Sequence, residues 1–365
     1  MPLDDELSAW LRLTLNAGPN HNDRVRQLLR AFNTPEGVLA APTQLLARHV
    51  PEAFAATLKR SVADHAVANV ASWLDDSANH IITLSDAEYP QQLLQLADPP
   101  LLLYARGNVA LLRRPMLAIV GSRHATPQGA ANAAAFARTL SDAGLTVVSG
   151  LALGIDAAAH RGALGGASSS VAVIGTGADI VYPARNRSLA HELADKGALI
   201  SEFALGTRPL AGNFPRRNRV ISGLALGCLV VEAAAQSGSL ITARLAAEQG
   251  REVFAIPGSI HSPLAKGCHA LLKQGAKLVE SAQDVLEELH WRAPAPGTKP
   301  PRPSPAGNSR TQRVLEALGD DPCGRDELAA RTGLTAAELA SLLTELELDG
   351  AVASLPGGSI QRIHR

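Results

Sequence analysis

Residues 116–150 read MLAIVGSRHATPQGAANAAAFARTLSDAGLTVVSG, and the succession of residue types in this stretch decides the fold. Met116–Val120 is an unbroken apolar run that stops at Gly121-Ser122-Arg123. An alanine-rich segment follows, and a second apolar run, Leu145–Val148, stops at Ser149-Gly150. Strands that are apolar on both faces mark a parallel sheet covered by helices, because βαβ crossovers lay helices over each side. The alternation continues to about His290 through SVAVIGTG, ALISEF, CLVVEA, REVFAIPG and AKLVES, most of them separated by helical patterns of ten or more residues. This predicts an α/β domain over residues 116–290, a Rossmann-type doubly wound, mostly parallel sheet.

The flanks read differently. Over residues 1–75, Leu7, Trp10 and Leu11, then Leu28, Leu29 and Phe32, recur at helical spacing, broken by Gly18-Pro19-Asn20 and Thr34-Pro35. A small N-terminal helical domain, of the SAM or helix-hairpin-helix kind, is expected there. Residues 76–115 hold the short apolar runs IITL and LLLYARG, punctuated by Tyr89-Pro90 and Pro99-Pro100, and read as an extended connector joining the Rossmann domain. Residues 291–309 are too proline-rich to pack and read as a semi-rigid linker. In residues 310–365, helices are expected near Thr311–Leu318 and Asp326–Arg331, with a third opened by the capping-box spacing of Thr335 and Glu338. Two short strands about Pro-Gly-Gly complete a C-terminal winged helix.

The chain has 365 residues, 46% of them hydrophobic, which is enough for more than one core. Its 34 Lys+Arg equal its 34 Asp+Glu, so a nucleic-acid site has to be a local patch rather than a basic coat. The opening MPLDDELSAW does not have the pattern of a signal peptide, and no run of about 18 apolar residues suggests a membrane span; a cytoplasmic protein is expected. Cys228, Cys268 and Cys323 are far apart and form no CxxC, which argues against a disulfide framework or thiolate metal site.

In an open α/β sheet, ligands sit beyond the carboxyl ends of the strands, where this sequence concentrates small and polar residues. The ends carry Gly121, Ser122 and Arg123; Ser149 and Gly150, then Gly154, Asp156 and His160; Gly175, Gly177 and Asp179, then Asn186; and Glu232 before Ser237, Gly238 and Ser239. Glycines let a backbone approach an anion, and free amides at helix starts bind phosphate oxygens. The same glycines also serve tight turns, Asp156 can be a helix-start charge, His160 can pack or cap, and Glu232 can pair with Arg219 or Arg244. Arg123, at a strand end in the ligand crevice, reads as an anion contact. GTGADI lacks the third glycine of a dinucleotide fingerprint, and GxxxxGK[ST], HExxH and GxSxG are absent, so neither cofactor nor metal is expected. One further stretch, NFPRRNRVISG at 213–223, sets a phenylalanine beside three arginines, a pairing that suits bases and phosphates together.

With AIVGSR (118–123), SGLALGIDAAAH (149–160), GTGADIVYPARN (175–186), ISEF (200–203), NFPRRNRVISG, VVEAAAQSGSLITA (230–243) and VFAIPG (253–258), the chain resembles the DNA-processing protein A (DprA/Smf) family. The resemblance implies a homodimer that binds and protects single-stranded DNA without sequence specificity and helps load RecA during natural transformation. It implies no catalytic activity. Carried over, the DNA contacts are Gly121, Ser122, Arg123, Phe214, Arg217, Asn218, Ser237, Gly238 and Ser239, with Arg216 and Arg219 contacting DNA or holding the loop. The family's Gly-x-Asn is here Gly267-Cys268-His269, so that site receives no role. The alternative from another class is a Rossmann-type nucleotide-binding or nucleotide-hydrolysing enzyme acting through Glu232. The third winged-helix helix carries Glu338, Glu345, Glu347 and Asp349 with no Lys or Arg, which opposes duplex binding and points to an accessory role.

Overall fold

The computed structural model describes residues 3–60, 64–292, 309–319, 321–355 and 357–363. Most of the proline-rich linker, residues 293–308, lies outside the described residues.

Nine strands form one sheet: β1 (Asn79–Thr83), β2 (Leu102–Gly107), β3 (Met116–Val120), β4 (Thr146–Ser149), β5 (Ser170–Val173), β6 (Ala198–Ser201), β7 (Ala225–Val230), β8 (Glu252–Ala255) and β9 (Lys277–Leu278). Their order is β1-β2-β6-β5-β4-β3-β7-β8-β9, parallel from β6 to β9 and antiparallel for β1–β2 and β2–β6. Each apolar run read from Met116 onward supplies one of the parallel strands. IITL and LLLYARG, read as a connector, instead extend the sheet: Ile81 pairs with Tyr104, and Tyr104 with Ser201. Antiparallel edge strands of this kind need no helical crossover, so the surrounding prolines do not exclude them.

Period-two alternation splits β3 between two cores. Met116, Ala118 and Val120 pack with one cluster, and Leu117 and Ile119 with the other. All five side chains are buried, each larger one contributing roughly 1.5–3 kcal/mol by leaving water. Five of the helices around the sheet are α7 (Pro127–Asp142), α8 (Ile155–Leu164), α9 (Arg187–Lys196), α10 (Asn213–Leu224) and α11 (Ser239–Glu248). Two more, α12 (Lys266–Lys273) and α13 (Ala282–Glu288), follow in the chain. Residues of α7, α8 and α13 join the core of Leu117, and residues of α10, α11 and α12 join that of Met116.

The N-terminal helices are Asp5–Ala17, Asn22–Phe32, Pro35–Ala40, Thr43–Leu46, Glu52–Thr57 and Asp64–Trp73. Their core, with Trp10, Leu28 and Phe54, takes in Leu102 and Tyr104, so β2 is the seat on which they rest. The C-terminal unit holds helices Ser309–Leu318, Arg325–Thr332 and Ala336–Leu348 with a sheet of Cys323–Gly324, Ser359–Arg362 and Val352–Ser354. Thr335 and Glu338 make the capping box, and Leu328, Leu343 and Ile360 share the core of a winged helix.

Candidate nucleic-acid interface

The strand order reverses at β3, which has β4 on one side and β7 on the other, so loops leaving β3 and β7 part and open a crevice at the carboxyl edge. The crevice is a cleft of about 600 Å³. Gly121, Ser122 and Arg123 enter it from the end of β3, Phe214, Arg217 and Asn218 from α10, and Ser237, Gly238 and Ser239 from the turn that opens α11. Nine of the eleven residues expected to touch DNA thus converge, although 116 residues separate Gly121 from Ser237. Of the other strand-end residues, Ser149, Gly150, Gly154, Asp156, His160, Gly175, Gly177, Asp179, Asn186 and Glu232, expected to support the site, Asp156 alone lines the cleft. α8, α10 and α11 all contribute first-turn residues to its wall, a placement that favours anions.

Phe214 stands at the cleft wall. Its ring lies against Gly175, where an added Cβ would come within 3.0 Å of Cδ1. The exposed Arg123 places its guanidinium carbon 5.7 Å from the ring centroid, the buried Arg217 places its own at 6.0 Å, and the Tyr182 ring lies 5.7 Å away at 40°. Both guanidinia are within cation–π reach.

Beneath the ring the residues hold one another. Arg217 Nη1 donates to the carbonyls of Gly150 and Val173, and Gly150 has no room for a side chain there. Asp156 accepts from the amides of Gly150 at 3.1 Å and Ala152 at 3.3 Å. Burial lowers the Arg217 pKa to about 10 and raises that of Asp156, each offset by the other's charge, so the guanidinium stays protonated at neutral pH. His160 is structural. Its Nε2 accepts from the Leu151 amide at 3.3 Å, so Nδ1 carries the proton, facing Ser170 Oγ at 2.7 Å, and Ser170 in turn donates to Val147 O. Burial, then Arg217 and Arg161, push its pKa down to about 3. Ser149 donates to Ile119 O, and Asn186 donates to Leu151 O and Ala152 O. Gly154, at φ 75°, packs against the Ser122 carbonyl where no Cβ fits.

Glu232 does not pair with Arg219 or Arg244. Its carboxylate accepts from the Thr126 amide at 2.9 Å and hydroxyl at 2.6 Å, capping the loop that carries Arg123, and Gly129 leaves the space it fills. Burial raises its pKa against those two hydrogen bonds. Gly177 and Asp179 serve another loop: Gly177 N donates to Thr207 O, and Asp179 accepts from Gly206 N at 2.9 Å. Cys268 is buried under β7, and His269 Nε2 meets Gly258 O. Among the described residues no group of three His, Cys, Asp or Glu side chains is placed to hold a metal ion, and no helix is long and apolar enough to cross a membrane.

The sequence profile of DNA recombination-mediator protein A matches residues 80–290, and that of the DprA winged helix domain matches residues 298–358. The chain belongs to the DprA family. It is 44% identical over 295 residues to Protein Smf of Escherichia coli, covering 79% of each chain. It is 47% identical over 209 residues to DNA processing protein DprA of Streptococcus pneumoniae, covering 57% of this chain and 74% of that one. The X-ray structure of the Streptococcus pneumoniae DprA superposes with TM-score 0.68 at 37% identity, over 79% of this chain and 99% of that chain. A Helicobacter pylori DprA structure, described for its single-stranded DNA binding mode, superposes with TM-score 0.53 at 31% identity, over 58% and 96%.

In this DprA-family chain Arg216 and Arg219 stand apart from the cleft. Both turn to Glu202, just beyond β6: Arg216 Nε lies 3.1 Å from Glu202 Oε2, and Arg219 Nη2 donates to the same oxygen. Asp98 Oδ2 lies 3.4 Å from Arg216 and 3.8 Å from Arg219, and Arg216 Nη1 donates to Asn20 Oδ1 at 3.0 Å. Burial raises the Glu202 pKa, with Arg219 and Arg216 pulling it back. Glu202, which ends the ISEF run's polar pair before Phe203, was given no role by the sequence. The signal for it was an acid directly after an apolar strand, which needs a partner.

Proposed function

We propose that single-stranded DNA runs through this cleft along the carboxyl edge of the sheet. A base stacks on Phe214 with Arg123 beside it, while the helix starts and Arg123 meet phosphates. The observation that carries the reading is the Phe214 ring, seated on Gly175 at the cleft wall with the guanidinia of Arg123 and Arg217 within 5.7 and 6.0 Å of its centroid. Stacking on an aromatic face and contacts to phosphate read no base edge, so binding is independent of sequence. Because the platform is set in a cleft at a strand-end crevice, it takes an unpaired base and not a stacked duplex. The Helicobacter pylori relative described for its single-stranded DNA binding mode supports the same reading. By its family resemblance the chain acts as a homodimer in the processing of incoming DNA during natural transformation, shielding the strand and helping to load RecA.

The test is an anisotropy titration with labelled single-stranded and duplex DNA of one sequence at matched salt. Single strands are expected to bind at least about tenfold more tightly, the margin set by stacking. Equal affinities would remove the platform from the mechanism.

A further inference from the structure

We infer that Glu202 is a positioning residue for the DNA cleft, acting through Arg216 and Arg219 to fix the first turns of α10 and so the place of Phe214 and Arg217. Residues three apart share a helix face. On α10 this puts Phe214 and Arg217 toward the cleft, while Arg216 and Arg219 meet Glu202 and Asp98. On its cleft side the opening of the helix is held by Asn213, which donates to Gly175 O at 3.1 Å, by the Phe214 ring on Gly175 and by Arg217 on two backbone carbonyls; its other face needs a separate hold. The cleft lies along one side, and a cavity of about 190 Å³, lined by Leu210, Asn213 and Glu202, lies along the other. Pro215 is exposed, and Gly212, the residue before the helix, makes no side-chain cap.

What spans that gap is ionic. One oxygen of Glu202, whose side chain is 4% exposed, takes both guanidinia, and Asp98 neutralises the remaining charge. In surroundings this dry, such pairs are strong, directional and costly to rearrange, and they select one arrangement more than they add net stability. Through Asn20 the same lattice reaches the turn between the first two N-terminal helices, which therefore share the anchor. The consequence for DNA rests on the reading of the cleft given above; the placement of α10 does not.

Two measurements on the full-length protein decide it. Hydrogen exchange of free Glu202→Gln should show faster exchange in the first turns of α10, by about tenfold beyond any change in the amides that exchange only by global unfolding. Anisotropy with single-stranded DNA should show Glu202→Gln weakening binding by about tenfold, with the slope of log affinity against log salt unaltered, because no phosphate contact is lost. In a Phe214→Ala background the same change should cost less than about twofold, the mark of two residues acting through one element. Should Glu202→Gln fail to fold, Asp98→Asn, at the half-exposed end of the lattice, is expected to give the same pattern at smaller size. Unchanged exchange in α10 would overturn the inference. So would full additivity with Phe214→Ala, or a slope reduced by about 0.7 in Arg216→Ala or Arg219→Ala, which would make those arginines phosphate contacts. If the wild type binds no single-stranded DNA, the reading of the cleft fails, and the exchange experiment still decides the role of Glu202.

Discussion

Arg123 and Arg217 reach the same phenylalanine, at 5.7 and 6.0 Å from its centroid, yet they belong to different parts of the machine. Arg123 is exposed on the loop after β3, and its charge is free for a ligand. Arg217 is 5% exposed, has two backbone carbonyls on one nitrogen, and faces the buried Asp156. On the proposed reading the rim of the cleft binds and the floor holds the rim in place. Residue type alone does not separate these duties; burial does, because a guanidinium that answers protein carbonyls has little left for phosphate.

Substitutions on the floor should therefore appear as stability and those on the rim as affinity. The largest effect is expected from Arg217→Met, which leaves the Asp156 charge buried without its partner and should cost about 3 kcal/mol in urea unfolding. A loss confined to DNA affinity would move Arg217 to the rim. His160 sharpens the contrast through pH. Its folded pKa, about 3, lies below the ordinary value of 6.5, so the unfolded chain takes a proton that the folded chain refuses. Its share of stability is whole above pH 6.5 and is lost as pH falls toward 3, by up to ~1.4 kcal/mol per pH unit. His160→Gln should flatten the stability curve in that window by one proton's worth, while leaving the pH dependence of DNA affinity unchanged.

On the rim, Phe214→Ala should weaken single-strand binding roughly tenfold, through the loss of ~1–3 kcal/mol of stacking, without altering the salt slope. Arg123→Ala should give a smaller loss that grows at low salt and should reduce the slope by about 0.7. The smallest effect is expected far from both rim and floor. Removing residues 300–365 should change single-strand affinity by less than about tenfold, since the helix Ala336–Leu348 offers four acids around its surface and end and no cation to a phosphate.

The parallel sheet was legible because strands buried on both faces need unbroken apolar runs, and the central runs from Met116 to Val230 met that need, while β8 and β9 at the edge are partly exposed. β1 and β2 were harder to read. They pair antiparallel with each other and, through β2, with β6, about a hundred residues away, and nothing local in LLLYARG announces that partner. At the candidate site, strand ends and small residues pointed to residues that the fold gathers in one cleft, and the spacing of Arg216 and Arg219 placed them on one face. Helical spacing says which residues share a face and not what that face meets. Glu202 and Asp98 come from other segments, and no periodicity links them to α10. The same limit applied to Glu232, where an unpaired acid was evident but its partner, Thr126, was an uncharged helix cap rather than an arginine.

The seat of Phe214 on Gly175 makes the platform adjustable by a single methyl group. An alanine there would press on ring carbons at 3.0 and 3.2 Å, so the ring would have to rise by a few tenths of an ångström. No charge, hydrogen bond or helix would change, only the height at which a base is met. If DNA is held as proposed, position 175 is a shim beneath the platform, where a single methyl group alters the fit of the strand while the charges around it stay as they are.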